Sequence, residues 1–217
     1  MRFRVVAAGL VVLALASCEM MFTTSPLSFL QRDPANLSPE QQVVFARDAL
    51  ASGNRDQMKA AYELLKGSGD PQTRLLAADL ALGASGLESG LAAALPDLLA
   101  AGDDQEALDE ALEEFLGGFS ASELTLMSEA ATLLASAADD ASPTPEQYLL
   151  AAVGLMAVAA DEHGGVTGLD AIGEGDPGHA EVEQAKSFLQ AAYDALEAKG
   201  ESTDLLEGIG DSIGWQP

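Results

Sequence analysis

From Ser38 to the C-terminus, apolar residues recur every three or four positions in blocks separated by Gly, Pro, Asp and Ser. That spacing puts one apolar stripe on each of a series of helices. The separators carry helix-start chemistry. Ser38-Pro39-Glu40-Gln41 supplies an N-cap, a proline at the first helical position and a glutamine at the third, a capping box. Asn54 caps a second helix that runs to Gly67. Asp70-Pro71 opens a third, ending near Gly83. The stretch 87–101 has a helical period, but Pro96 within it predicts a break or kink near Leu95. Asp103 or Asp104 opens a helix to Leu116, stopped by Gly117-Gly118. Ser120-Ala121-Ser122-Glu123 is a second capping box, with its helix reaching about Ala138, and Thr144-Pro145-Glu146-Gln147 a third, reaching about Asp161. Asp176-Pro177 opens a long helix to Lys199-Gly200, and a short one covers 203–213. No segment alternates with the period of a strand. The expected fold class is all-α, about eight or nine helices in antiparallel pairs, forming a short solenoid or an irregular bundle.

Taken two at a time, the helices give units 38–69, 70–102 and 103–141, followed by a longer looped pair over 144–200. Units of roughly 32 to 39 residues have the scale of helix-pair solenoids. Ala46 and Tyr62 lie 16 residues apart, and Asp70-Pro71 follows them. These positions resemble the small residue, the aromatic residue and the terminal proline of a tetratricopeptide repeat. The resemblance covers the first pair; the second lacks the aromatic positions. Ala60-Ala61-Tyr62-Glu63 and Ala191-Ala192-Tyr193-Asp194 echo each other at helix ends.

The N-terminal residues follow a different pattern. Arg2 and Arg4 precede an uncharged apolar run over 5–13, too short to span a bilayer and of the length of a signal h-region. Leu15-Ala16-Ser17-Cys18 follows, and these four residues resemble the lipobox of bacterial lipoproteins. The resemblance implies cleavage before Cys18, alkylation of its thiolate with diacylglycerol and acylation of the new amino group. More than one acyl chain is needed for stable anchoring. It also implies a domain order: a signal peptide at 1–17, the lipidated Cys18 with a tether over 18–37, and a single helical domain over 38–217. Glu19, beside the lipidated position, leans toward the periplasmic leaflet of the outer membrane rather than the inner membrane. Cys18 is the sole cysteine, so the mature domain has no disulfide, thiolate metal site or cysteine nucleophile.

Charge narrows the partners. Of ten Lys and Arg residues, Arg2 and Arg4 belong to the signal; the remaining eight face 35 acidic side chains, a balance of −27. No Lys or Arg lies between Arg74 and Lys186. Nucleic acid, whose phosphates need basic contacts, is excluded as a partner, as is electrostatic docking on anionic lipid. Membrane attachment therefore falls to the lipid anchor. The acidic surface is read as a solvated face, with a cationic partner, divalent-cation loading or a saline habitat as the other readings. Aromatic residues make up only 5% of the chain, so the core has to be built from Leu and Ala.

Candidate chemistry is sparse. The segment from Asp161-Glu162-His163 to Gly178-His179 holds both histidines together with Asp170, Glu174 and Asp176. His163, His179, Asp161 and Asp176 form a candidate set of divalent-metal ligands, with glycines to let the backbone bend round an ion. The spacing matches no helical His-x-x-x-His and no calcium loop; the plain reading is a surface connection. Gly173-Glu174-Gly175-Asp176-Pro177-Gly178 formally fits a dinucleotide fingerprint, but no strand precedes it and its acids would repel a pyrophosphate. Between 103 and 114 acids ring a helix whose apolar face is Leu108, Ala111, Leu112 and Phe115. No Ser/His/Asp set or nucleophile elbow is legible, so no enzyme and no catalytic residue is expected, and no cofactor beyond a possible divalent cation. The expected function is a membrane-anchored envelope scaffold holding another envelope protein or a peptide. The outline is also similar to the helical lipoprotein associated with some bacterial tripartite transporters, which implies a ligand-holding role. A divalent-metal-binding protein is the third reading.

Overall fold

The structure is a computed structural model that describes residues 33–101, 105–166 and 168–217. Cys18, the lipobox-like residues 15–17 before it, the expected tether as far as residue 32 and the expected helix starts Asp103 and Asp104 lie outside the described residues. The chain divides into two units, Met1–Leu37 and Ser38–Pro217. The described end of the first unit holds one 3-10 turn, Pro34–Asn36, capped by the Asp33 side chain.

The second unit is all-α among its described residues. Nine helices run in order: α1 (Pro39–Ser52), α2 (Arg55–Leu65), α3 (Pro71–Ser85), α4 (Leu87–Ala101), α5 (Gln105–Leu116), α6 (Ala121–Ala137), α7 (Pro145–His163), α8 (His179–Glu197) and α9 (Asp204–Asp211). Their starts follow the cap chemistry of the sequence. The hydroxyls of Ser38 and Thr144 accept from the amides of Gln41 and Gln147, and each glutamine side chain accepts in return from its cap residue's amide. Asn54 and Asp70 cap α2 and α3 through the amides of Gln57 and Thr73. At α6, the Glu123 carboxylate accepts from the Ser120 amide at 2.8 Å. Each bond satisfies a donor that the first helical turn leaves without a partner.

One boundary differs from expectation, and Pro96, expected to break or kink its helix, leaves α4 unbroken as far as Ala101. The proline removes the amide that would bond the Ala92 carbonyl, but both Pro96 and Ala92 are exposed, so water can serve that carbonyl. The helix expected from Asp176-Pro177 starts later, at His179, because Gly178 turns the chain with φ 83° as its N-cap.

Packing pairs α1 with α2, α2 with α3, α6 with α7, α7 with α8, and α9 with α8. The chief partner of α3 is α6 rather than α4, and α4 and α5 pack mainly on each other. The units 70–102 and 103–141 are therefore not two successive pairs; a helical hairpin is inserted between the two members of one. The apolar content of α3 explains the choice. Leu75, Ala77, Ala78, Leu80, Ala81 and Leu82 are all buried, more than a single stripe, so α3 must be covered on several sides. On α6, Ala130, Ala131 and Leu134 provide the close-fitting surface.

The core is Leu and Ala, as the composition requires. Alanines at 0% exposure occur on α1, α2, α3, α6, α7 and α8, and such small side chains bring helix axes close together. At Gly154 on α7 even a β-carbon would lie 3.2 Å from the Met127 β-carbon on α6. The antiparallel run of α7 and α8 is fixed at two places. Gly178 lies against the Ala159 backbone, and the Tyr148 and Phe188 rings sit 5.7 Å apart. Burial of this kind contributes about 25 cal/mol per Å² of apolar surface.

One polar junction ties three helices together. The Arg55 guanidinium at the start of α2 donates to the carbonyl of Ala84 at 2.9 Å and to that of Ser85 at 2.7 Å. It also pairs with the Glu123 carboxylate at the start of α6. Those carbonyls belong to the last turn of α3, where the helix has no internal donors left for them. Further along, the Tyr62 hydroxyl on α2 donates to Glu129 on α6 at 2.5 Å. Burial first, then the adjacent carboxylate, pushes the Tyr62 hydroxyl well above the usual phenol range.

Candidate functional site

The segment that joins α7 to α8 carries the candidate metal ligands, and two of its acids, Glu162 and Asp176, accept from backbone amides. Helix α7 ends at His163, and the amides of Gly164 and Gly165 both donate to the Ala160 carbonyl, at 2.9 and 2.8 Å. Gly164 takes φ 89°, the left-handed turn expected after a helix C-terminus. Beyond it, Leu169–Ala171 forms a 3-10 turn whose Leu169 is buried. Three carboxylates then pin the chain. Glu113 of α5 accepts from the Val166 amide at 2.9 Å, Asp176 from the Gly173 amide at 2.9 Å, and Glu162 from the Gly178 amide at 3.1 Å. A carboxylate that accepts from a backbone amide makes one of the stronger hydrogen bonds available to it.

The four sequence-derived ligands fall as follows. Asp161 and His163 are exposed in the last turn of α7, Asp176 is exposed in the connection, and His179 is half-buried at the start of α8. His179 Nδ1 is buried without a hydrogen-bond partner, while its backbone amide donates to the Asp176 carbonyl at 3.3 Å. Among the described residues, no three His, Cys, Asp or Glu side chains converge as a metal centre would require. On the acidic helix, Phe115 and Leu116 are buried, Ala111 and Leu112 half-buried, and Glu110, Glu113 and Glu114 exposed.

A cleft of about 180 Å³ opens between the ends of α5 and α7 and the start of α6. Leu116, Phe119, Leu124 and Val166 give it an apolar floor, and the carboxylates of Glu113 and Asp161 stand at its rim. Two helices, α5 and α7, end at this cleft, and a helix C-terminus carries partial negative charge. The sequence marks the loop, and marks Glu113 as one acid of the ring on its helix, but not their contact: Glu113 lies 53 residues from its partner Val166.

A second carboxylate of interest lies on α3. Asp79 is half-buried and accepts from the Gln147 side chain at 2.7 Å. Burial raises its pKa above the ordinary aspartate value; the Gln147 hydrogen bond opposes that shift and the Glu88 charge adds to it.

Among the described residues no single helix is long and apolar enough to cross a membrane. Pro71–Ser85 and Leu87–Ala94 reach that length and composition only together, across a 52° bend, and Ala77, Ala78 and Leu80 of the first are fully buried. No protein family, curated protein or solved structure matches this chain.

Proposed function

We propose that this protein is an envelope lipoprotein, anchored through Cys18, whose helical domain serves as a scaffold for another envelope protein or peptide. The observation that carries the reading is the lipobox Leu15-Ala16-Ser17-Cys18 followed by an all-helical unit with a filled Leu/Ala core. Side chains such as Leu80, Leu155, Leu189 and Met127 occupy the space between helices. A filled interior suits a protein that works with its surface better than one that encloses a small molecule. Charge is also unevenly spread along the chain: the whole stretch from residue 75 to 185 has no Lys or Arg, which favours a cationic partner over an anionic one. The anchoring membrane in this reading is the outer one, in its periplasmic leaflet.

The test is capture from native membranes with the full lipidated chain as bait, at physiological salt and without cross-linker. A stoichiometric partner that survives washing is the expected result. Recovery of no stable partner from membranes where the protein is abundant would refute the scaffold reading.

A further inference from the structure

We propose that the cleft between the ends of α5 and α7 is a socket for one basic side chain, an arginine or lysine, presented by the protein's partner. The proposal rests on the scaffold reading and names the chemistry by which the partner is held.

The cleft has the two parts such a side chain needs. Arginine and lysine join an aliphatic stem to a charged head, and they bury the stem on apolar surface while the head stays polar. The floor of Leu116, Phe119, Leu124 and Val166 takes the stem. At the rim, Glu113 and Asp161 offer carboxylates to the head. Both side chains are exposed and open to an incoming group. The C-termini of α5 and α7 bring partial negative charge to the cleft, two against the one partial positive charge of the α6 N-terminus. At about 180 Å³ the space suits one long side chain and is below the 300–1,000 Å³ of a typical small-molecule pocket.

Charge complementarity decides the occupant. The helices and turns that line the cleft belong to the stretch 75–185, which contains no Lys or Arg, so the chain itself offers these carboxylates no guanidinium or ammonium partner from any lining element. Glu113 is held in place by the Val166 amide through Oε2, which fixes the carboxylate before a ligand arrives. A preformed acceptor loses less freedom on binding and therefore gives more affinity per contact.

The experiment uses the ¹⁵N-labelled full chain in detergent micelles, titrated with N-acetyl-arginine methylamide and, as its neutral isostere, N-acetyl-citrulline methylamide. The arginine probe is expected to shift the amides of Gly117, Gly164, Gly165 and Val166 saturably, with the citrulline probe at least about tenfold weaker. Asp161→Asn alone, and with Glu113→Gln, is expected to weaken the arginine probe at least about fivefold. Glutamine at 113 keeps an acceptor for the Val166 amide, whose resonance in the free variant reports whether the loop is intact. If that loop moves, Asp161→Asn decides by itself. Equal affinity for citrulline, or unchanged arginine binding in Asp161→Asn, would overturn the proposal, as would shifts spread over every acidic helix. Shifts that follow protein concentration without any probe would place a second copy in the cleft and overturn it too. Membrane capture keeps the two readings apart. A partner bound equally well by the double variant removes the socket and leaves the scaffold; arginine binding without any captured partner removes the scaffold.

Discussion

Replacing Arg55 with alanine should cost the helical unit about 2 to 3 kcal/mol of stability, a figure worked from its three contacts. Two are charge-assisted bonds to the carbonyls of Ala84 and Ser85, at 2.9 and 2.7 Å. Each such bond contributes roughly 1.5–3 kcal/mol when shielded. The Arg55 side chain is 48% exposed, so about half that value applies to each bond. The pair with Glu123 adds about 0.5 kcal/mol, as expected for a partly exposed ion pair. Urea unfolding followed by circular dichroism is the assay. With a slope of about 2 kcal/mol per molar, the midpoint should fall by about 1 M. Arg55→Lys keeps the charge but cannot fork to two carbonyls and a carboxylate, so it should recover less than half of the loss.

Acid separates the two contributions. The Arg55 hydrogen bond is the leading cause that holds the Glu123 carboxyl below the usual glutamate range, followed by the Ser120 amide. A depressed carboxyl contributes stability that is present above the ordinary glutamate value and lost as pH falls through the lowered one. The Arg55→Ala defect should therefore shrink in acid without vanishing, because the carbonyl bonds do not titrate. A midpoint shift below about 0.2 M at pH 7 would refute the reasoning. So would a double-mutant cycle with Glu123→Gln in which pair coupling accounts for the whole effect.

Three further outcomes are expected. Cys18→Ala should block lipidation and normal processing with the helical circular dichroism unchanged; a variant still held on washed membranes by the mature domain itself would contradict the anchor. Gly178→Ala should destabilise by about 2 kcal/mol or more, because φ is 83° there and a β-carbon would meet the Ala159 carbonyl oxygen at 2.9 Å; a thermal midpoint like that of wild type would be the contrary result. Asp79→Asn should stabilise the protein at neutral pH. A half-buried aspartate with a raised pKa binds its proton more tightly folded than unfolded, so the wild type loses stability as pH rises from about 4 through the raised value. The variant's advantage should therefore disappear below about pH 4, and an equal advantage at all pH values would exclude titration as its source.

Local features of the fold were legible; the pairing of distant helices was not. Ser38, Asn54, Asp70 and Thr144 announce helix starts because a cap is an interaction over two or three residues, and each caps as expected. Asp176-Pro177 points to a start two residues ahead of the true one, because Pro177 carries a start signal while the left-handed turn at Gly178 sets the first helical residue at His179. That α3 packs on α6 across the α4–α5 hairpin could not be read, since α3, α4 and α6 all present Leu and Ala. Interchangeable apolar faces do not name their partners. The cleft was missed for a related reason. Glu113 looks like any acid on a solvated helix until the fold brings Val166 to it.

The inserted hairpin has a consequence for how the chain tolerates change. Arg55 gathers Ser85, where the excursion leaves, and Glu123, near where it returns, onto one guanidinium. The entry and exit of 86–120 are thus neighbours whatever the hairpin does further out. Each doubling of a loop's length costs only about 0.6 kcal/mol in closure entropy. Relatives of this domain could therefore lengthen, trim or exchange the outer part of the hairpin while α3 and α6 stay in register. The hairpin is the place where the fold offers room for new surface, and the socket lies at its returning end.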